Sequence, residues 1–363
     1  MNIHKKINFG ILIPAIVVYF LGFISIFSTT KDLYLNHLIY FLLGIITFTL
    51  IQYLGSDVFV KYSIFFYGVV MILLISLFFI GSTSLGATRW IKIGTLSLQP
   101  SEFAKMTLIL LGGYFLSKNH RWEWKKPLFF KKFVLDIRFL KYFVFSIPLI
   151  LLVLVQPDLG TTLACVAIFL GILLISNFPK KYFIFAILLI GIFSNPIWNS
   201  LQEYQRERVL IFLNPEADPF GSGYNSIQAK IAVGNGALIG KGYGKGTQTQ
   251  LNFLPIFWTD FLIATYAEEW GFVGLIVFLI VYGILIFNIF KICLNATNEK
   301  YKFLATGVFI YFVFQFVINF GMNIGLFPVT GIPLPLFSYG GTALFVSFVL
   351  LGIINHISLD KSA

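Results

Sequence analysis

Asp260 stands in the run TDFLIATYAEEWG, at the threshold of a long apolar stretch. A carboxylate placed there can cap the helix that follows, act on a proton, or do both. A helix N-terminus lowers the pKa of a neighbouring acid, so Asp260 is expected to be ionised and able to take a proton from a hydroxyl. Cations are the second ingredient. Arg206 and Arg208 lie in QEYQRER with Glu203 and Glu207. That spacing gives either an ion-paired helix face or a planar, permanently charged grip on phosphate. Arg89, in GATRWIK, sits beside Trp90 in a pairing suited to a membrane interface. Glu102 and Lys105 lie three apart in QPSEFAK, just inside an apolar run. Charges there must pair or face a polar cavity, so they read equally as a structural pair and as members of a site. Asp158, in QPDLGTTL, reads first as a helix cap and second as a site residue.

The balance of these groups favours one chemistry. Hydrolysis of a glycosidic bond usually takes two carboxylates, because a sugar alkoxide leaves poorly without an acid. No second carboxylate accompanies Asp260. Transfer from a diphosphate donor needs only a base, provided that cations neutralise the leaving group. One carboxylate among several arginines and lysines therefore suits sugar transfer from a lipid diphosphate better than glycoside hydrolysis. A divalent cation, Mg²⁺ or Mn²⁺, could share in neutralising the diphosphate. The four histidines are scattered, Cys165 and Cys293 are far apart, and no ligand spacing for a metal is evident.

The elements that must hold these groups are membrane helices. Of 363 residues, 58% are hydrophobic and only 11% charged, far fewer charges than a soluble domain carries. Ten apolar spans are expected, at 7–29, 36–54, 62–81, 101–117, 142–155, 160–177, 181–197, 261–290, 303–325 and 338–356. Most approach the ~20 residues needed to cross a bilayer. The short fifth span should extend into its flanks, and the long eighth should project beyond the bilayer. With the N-terminus inside, 17 of the 26 Lys and Arg fall in cytoplasmic segments and 8 in outer ones. This asymmetry places both termini in the cytoplasm. It also accounts for the net charge of +11 without nucleic acid. The expected fold is an all-α polytopic membrane protein with ten transmembrane helices, one domain over residues 1–363. Its first span is retained rather than cleaved as a signal.

Two connections are long. The cytoplasmic loop 118–141 mixes Lys and Arg with Trp and Phe and is expected to lie on anionic lipid. The outer segment 198–259, between spans seven and eight, is the expected functional loop. Within it YNSIQAKIAVG predicts a short amphipathic helix. GNGALIGKGYGKGTQ has six glycines and little to pack, which predicts a flexible or substrate-lining stretch. It lacks the GxxxxGK[ST] pattern of a nucleotide loop. The spans do not divide into matching halves, and their charges gather at the outer mouth. Both features weigh against an alternating-access transporter, such as a flippase for a lipid-linked precursor. A purely structural scaffold is the third reading.

GATRWI, QPSEFAK, QPDLGTTL, the DPFGSGY…GTQTQLNFLP segment, TDF, AEEWG and GLFPVTGIPLPLFSYGG follow one another in the order of the SEDS family. The chain resembles that family from about residue 10 to 356. GTQTQLNFLP and the short N-terminal tail resemble its elongation branch more than its division branch. The resemblance implies a peptidoglycan glycosyltransferase that polymerises lipid II, an undecaprenyl-diphosphate disaccharide-peptide, on the outer face of the bacterial plasma membrane. It implies a class B penicillin-binding protein as partner, with other proteins of the elongation machinery. It places the essential aspartate on Asp260, the conserved arginine on Arg89 and the paired charges on Glu102 and Lys105. Asp158, Arg206, Arg208 and Trp258 complete the residues expected to contact substrate. The family usually reads LPExHTDF where this chain has LPIFWTDF, so Ile256 replaces a glutamate and Trp258 a histidine.

Overall fold

A backbone in hydrocarbon must satisfy its own hydrogen bonds, and apolar runs of this length do so as helices. The computed structural model describes residues 7–30, 33–84, 87–94, 96–117, 136–221 and 223–360. The first helices are α1 (Phe9–Thr29), α2 (Tyr34–Leu54), short α3 (Ser56–Lys61) and α4 (Ser63–Ile80). Strands β1 (Ser82–Ser84), β2 (Ala87–Ile93) and β3 (Leu96–Leu98) follow. Then come α5 (Pro100–Leu116), α6 (Ile137–Val155), α7 (Leu159–Ile175), α8 (Lys181–Ile192) and α9 (Ser194–Ser200). Three short helices, α10 (Glu203–Leu213), α11 (Tyr224–Asn235) and α12 (Thr247–Gln250), lead to α13 (Leu262–Asn295), α14 (Glu299–Asn323) and α15 (Gly341–Leu359).

Each of the ten apolar spans is helical. Seven of the described helices are long and apolar enough to cross a membrane, and α8 with α9, bent by 60°, form an eighth candidate. Helices α5 and α7 have 17 residues each. The chain is a multi-pass membrane protein. As expected, α6 extends N-terminally beyond its apolar core, and α13 is the longest helix described, at 34 residues. Helix α5 is buried along almost its whole length. It packs against α4, α6, α7 and α14, while α15 packs on α2 and α1 on α13. Helix α8 buries none of its described side chains. The basic loop lies outside the described residues except for its last positions. There Asp136 caps α6 and pairs with Arg138 at 2.5 Å.

The fold is helical, as expected, with one small addition: β1, β2 and β3 form an antiparallel meander, with Ser82 opposite Trp90 and Ile91 opposite Leu98. β-Branched and aromatic residues in ATRWIKI favour the extended backbone. One correction concerns the glycine-rich run: of the two expectations, flexible or substrate-lining, the flexible one fails, because the run is docked on α13. Lys241 and Gly242 N–H groups donate to the carbonyls of Glu268 and Glu269 at 2.9 and 3.0 Å. Phe272 and Val273 N–H donate back to Ala237 and Leu238 at 2.9 and 3.0 Å. These bonds are available because α13 breaks at Gly271 (φ 67°, ψ −165°). A β-carbon at Gly240 would lie 2.1 Å from the Glu269 carbonyl oxygen, and one at Gly271 would lie 2.2 Å from the Gly240 nitrogen. The glycines permit two backbones to touch, which a pattern of side chains cannot reveal. The expected short helix is present as α11, so much of the long 198–259 segment is helix.

Candidate active site

Asp260 ends the turn before α13 and lies outside its hydrogen-bond ladder. The N-cap position falls on Phe261, and no side chain of that residue caps the helix. The cap comes from another helix: Asn323 Oδ1 of α14 accepts the Ala264 N–H at 3.2 Å. Asn319 and Asn323 also donate their Nδ2 groups to the Asp260 carbonyl, at 3.1 and 2.9 Å. The capping role open to Asp260 is thereby corrected. The carboxylate is not consumed by its own helix.

The surroundings of that carboxylate set its charge. Burial dominates and pushes its pKa up to about 6. Arg208, a hydrogen bond with Thr259, and Arg89 oppose the rise, while Asp158 adds to it. The expected lowering by the helix terminus is overruled because desolvation of a carboxylate outweighs a partial dipole charge. Asp260 nevertheless keeps part of its surface open to solvent. Water screens the shift there, and the group remains mainly ionised at neutral pH. One carboxylate oxygen faces Gly331, where a β-carbon would stand 3.7 Å away and where φ is +74°.

The segment carrying Gly331, residues 325–341, is the seam of the site. Arg208 donates to the Val329 carbonyl at 3.1 Å, and Asn319 to the Ile332 carbonyl at 2.8 Å. The Tyr339 N–H donates to the Trp258 carbonyl at 2.9 Å. A β-carbon at Gly160, in the first turn of α7, would meet the Thr330 carbonyl at 2.5 Å. Three distant stretches of sequence therefore converge on Asp260.

Arg89 projects from β2 toward the same place. It donates to the Pro157 carbonyl, its Nη1 lies 3.9 Å from Asp158, and its buried Nε has no hydrogen-bond partner among the described residues. Asp158 caps α7 by accepting the Thr161 N–H at 3.3 Å, as expected, and also accepts from Gln99 at 3.2 Å and Ser101 at 3.4 Å. Ser101 thus serves Asp158, while Gln99 takes the N-cap position of α5 and Pro100 its first turn. Arg206 turns to the Asn199 carbonyl, away from the charges acting on Asp260. Trp258 packs edge-on to Phe257, with centroids 5.0 Å apart, beside a small apolar cluster of Ala229, Ala232, Leu254 and Phe261.

Glu102 and Lys105 are both fully buried and paired with each other. Lys105 Nζ donates to Glu102 at 2.7 Å and to Gln315 at 2.8 Å, and lies 5.2 Å from the Tyr311 ring centroid. Lys105 does not snorkel to an interface. Gln315, Asn319 and Asn323 form one polar stripe on α14, from that pair to Asp260. Sequence reasoning passed over these amides. Their spacing of four within the apolar run QFVINFGMN was the available signal. No group of three or more metal-ligating side chains occurs among the described residues. Asp260, with Asp158 already engaged, offers a divalent cation a single carboxylate, and the remaining ligands would have to come from substrate and water.

The FtsW/RodA/SpoVE family of cell cycle proteins matches residues 5–363. The peptidoglycan glycosyltransferase MrdB of Escherichia coli K12 is 37% identical over 321 residues, covering 88% of this chain and 84% of its own. Among solved structures, a chain of a peptidoglycan synthase complex that coordinates polymerisation and crosslinking superposes with a TM-score of 0.80 at 27% identity. That match covers 98% of this chain and 99% of the other. The rod shape determining protein RodA of Thermus thermophilus gives a TM-score of 0.67 at 25% identity, covering 97% and 96%. The seam and the aspartate it faces thus sit in a chain that belongs to the FtsW/RodA/SpoVE family of cell cycle proteins.

Proposed function

We propose that this protein is an inverting peptidoglycan glycosyltransferase that polymerises lipid II into glycan strands for cell elongation. The acceptor 4-hydroxyl oxygen attacks C1 of the donor sugar as Asp260 takes the hydroxyl proton. The C1–O bond breaks, and its electron pair leaves with undecaprenyl diphosphate. Arg208 and Arg89 neutralise that diphosphate, and the spare Nε of Arg89 gives it a donor. Glu102 and Lys105 act through Gln315 and α14 rather than by touching substrate. Mg²⁺ or Mn²⁺, if bound, would be held by Asp260 and would supply positive charge that helps to neutralise the diphosphate. The chain crosses the plasma membrane ten times with both termini in the cytoplasm, which puts the Asp260 end of the bundle on the outer face. A class B penicillin-binding protein that crosslinks the strands is the proposed partner.

The observation that carries this reading is the carboxylate of a half-buried residue, excused from capping, in the field of two arginines. Asp260→Ala, purified with the partner and supplied with lipid II, should lose roughly 10²–10⁴-fold in rate, the usual worth of a positioned base. Glycan synthesis at the wild-type rate would reject the role. In the wild type the rate should fall as pH drops through about 6, because the base must be ionised. A rate unchanged down to pH 5 would exclude Asp260 as that base. Translocation of labelled precursor into vesicles without polymer would favour transport instead.

A further inference from the structure

Asn323 satisfies three hydrogen-bonding positions at once. Its Oδ1 accepts the Ala264 N–H, and its Nδ2 donates to the carbonyls of Asp260 (2.9 Å) and Asn319 (2.8 Å). Asn319 Nδ2 is divided between Asp260 (3.1 Å) and Ile332 (2.8 Å). Both asparagines are fully buried. The Asp260 carbonyl thus receives two side-chain donors, and the Ala264 N–H, which in a continuing helix would bond to that carbonyl, is taken by Asn323 instead. Helix α13 accordingly begins at Leu262.

Without these amides the helix would gain by growing one step. The Ala264 N–H would close onto the Asp260 carbonyl, and Asp260 would become the N-cap. Aspartate is among the best N-caps, because its carboxylate accepts N–H groups of the first turn. A carboxylate so occupied points back along its own helix and no longer toward Gly331. From this competition we infer that Asn319 and Asn323 are positioning residues that hold Asp260 out of the capping conformation and keep its carboxylate available to the acceptor hydroxyl. The inference rests on Asp260 being the base. It assigns to α14 a part in the reaction that its apolar sequence conceals. It also gives the polar stripe a purpose: Gln315, engaged by Lys105, leads to the two amides that grip the turn.

The test is a double-variant cycle on the full chain in complex with its partner, reading polymerisation of lipid II. Asn323→Ala should lower kcat by about tenfold or more while KM stays within about threefold, since misplacing a reacting group by an ångström costs up to ~10² in rate. In an Asp260→Ala background the same substitution should cause no further loss, because residues acting as a unit are non-additive. Asn355→Ala supplies the control: it removes a buried amide at the opposite end of the bundle, bonded to Gln52 and Asn8, and should leave kcat unchanged. An Asn323→Ala enzyme with wild-type kcat, or a loss that simply multiplies with that of Asp260→Ala, overturns the inference. An Asp260→Ala enzyme that stays fully active overturns the base assignment instead. Should Asn323→Ala not fold, Asn319→Ala, which keeps the cap on Ala264, must show the kcat-specific loss. Wild-type kcat there also overturns the proposal.

Discussion

Asp260 and Glu268 lie eight residues apart at the start of one helix, and the structure treats their carboxylates in opposite ways. Glu268 is sealed from solvent and held by several donors. It accepts the Thr247 N–H and hydroxyl at 2.9 Å each, the Gln248 N–H at 3.1 and 3.2 Å to its two oxygens, and the Lys241 ammonium at 3.1 Å. Glu269 adds bonds from the Ser28 hydroxyl at 2.6 Å and the Gly244 N–H at 3.1 Å. These two side chains fasten the glycine-rich run to the broken helix. Asp260 is a half-buried residue in the field of Arg208 and Arg89, and has its capping duty taken over by Asn323. A carboxylate held by several donors stabilises structure, and one excused from capping can receive a proton.

The largest effect expected from this contrast is kinetic. Asp260→Ala should abolish most activity while the purified complex unfolds at no lower temperature than the wild type. A mutant that loses activity only because it unfolds would erase the contrast. Glu268→Gln should do the reverse. The amide NH₂ would face N–H donors, and Lys241 would lose its partner, at a cost of about 3 kcal/mol. The readout is hydrogen exchange at the Lys241–Gln248 amides, which should speed up strongly while Asp260 remains in place. Gly240→Ala follows at about 2–3 kcal/mol, because the new β-carbon meets the Glu269 carbonyl from a φ of +78°. If the loop tolerates alanine there without faster exchange, close backbone contact is not what the glycine provides.

How much of this was legible beforehand depends on which atoms carry it. The apolar spans were readable because helix formation in a membrane follows from side-chain hydrophobicity alone, and the break at 198–259 was readable for the same reason. Asp260 and Arg208 stood out as charges in an apolar chain. The docking of the glycine-rich run was not legible, since it is made by backbone groups whose partners lie some thirty residues away. Glu268 and Glu269 are costly in hydrocarbon and are buried against protein, but nothing in AEEWG names Thr247 or Gly244 as the partner. Residues 325–341 drew attention as a sequence signature, whereas their work, joining α7, α10, α14 and the Asp260 turn, depends on carbonyls that every sequence possesses. The full burial of Lys105 was hidden because a lysine one turn into a helix can equally reach out or turn in. Its partner Gln315 lies 210 residues along the chain.

The smallest effect discriminates most finely. Asp260→Asn keeps the shape of the side chain and removes its charge, so it asks whether the protein bears a cost for holding that charge. With the folded pKa raised to about 6 against an ordinary value near 4, the folded state holds the proton more tightly than the unfolded chain does. Wild-type stability is then highest below about pH 4 and falls as pH rises through 6. At pH 7.5 the asparagine variant should be more stable by about 1–2 kcal/mol, less than the full shift implies because the residue keeps solvent contact. That advantage should shrink as the pH is lowered and vanish near pH 4, where the wild-type carboxyl is protonated in both states. Thermal unfolding of the two proteins at pH 7.5, 6 and 4.5 measures it. Glu268→Gln in the same series should be less stable than wild type at pH 7.5. An Asp260→Asn protein that is likewise less stable there would mean that the carboxylate of Asp260 is held as firmly as that of Glu268, and that release from capping does not distinguish a reactive acid from a structural one.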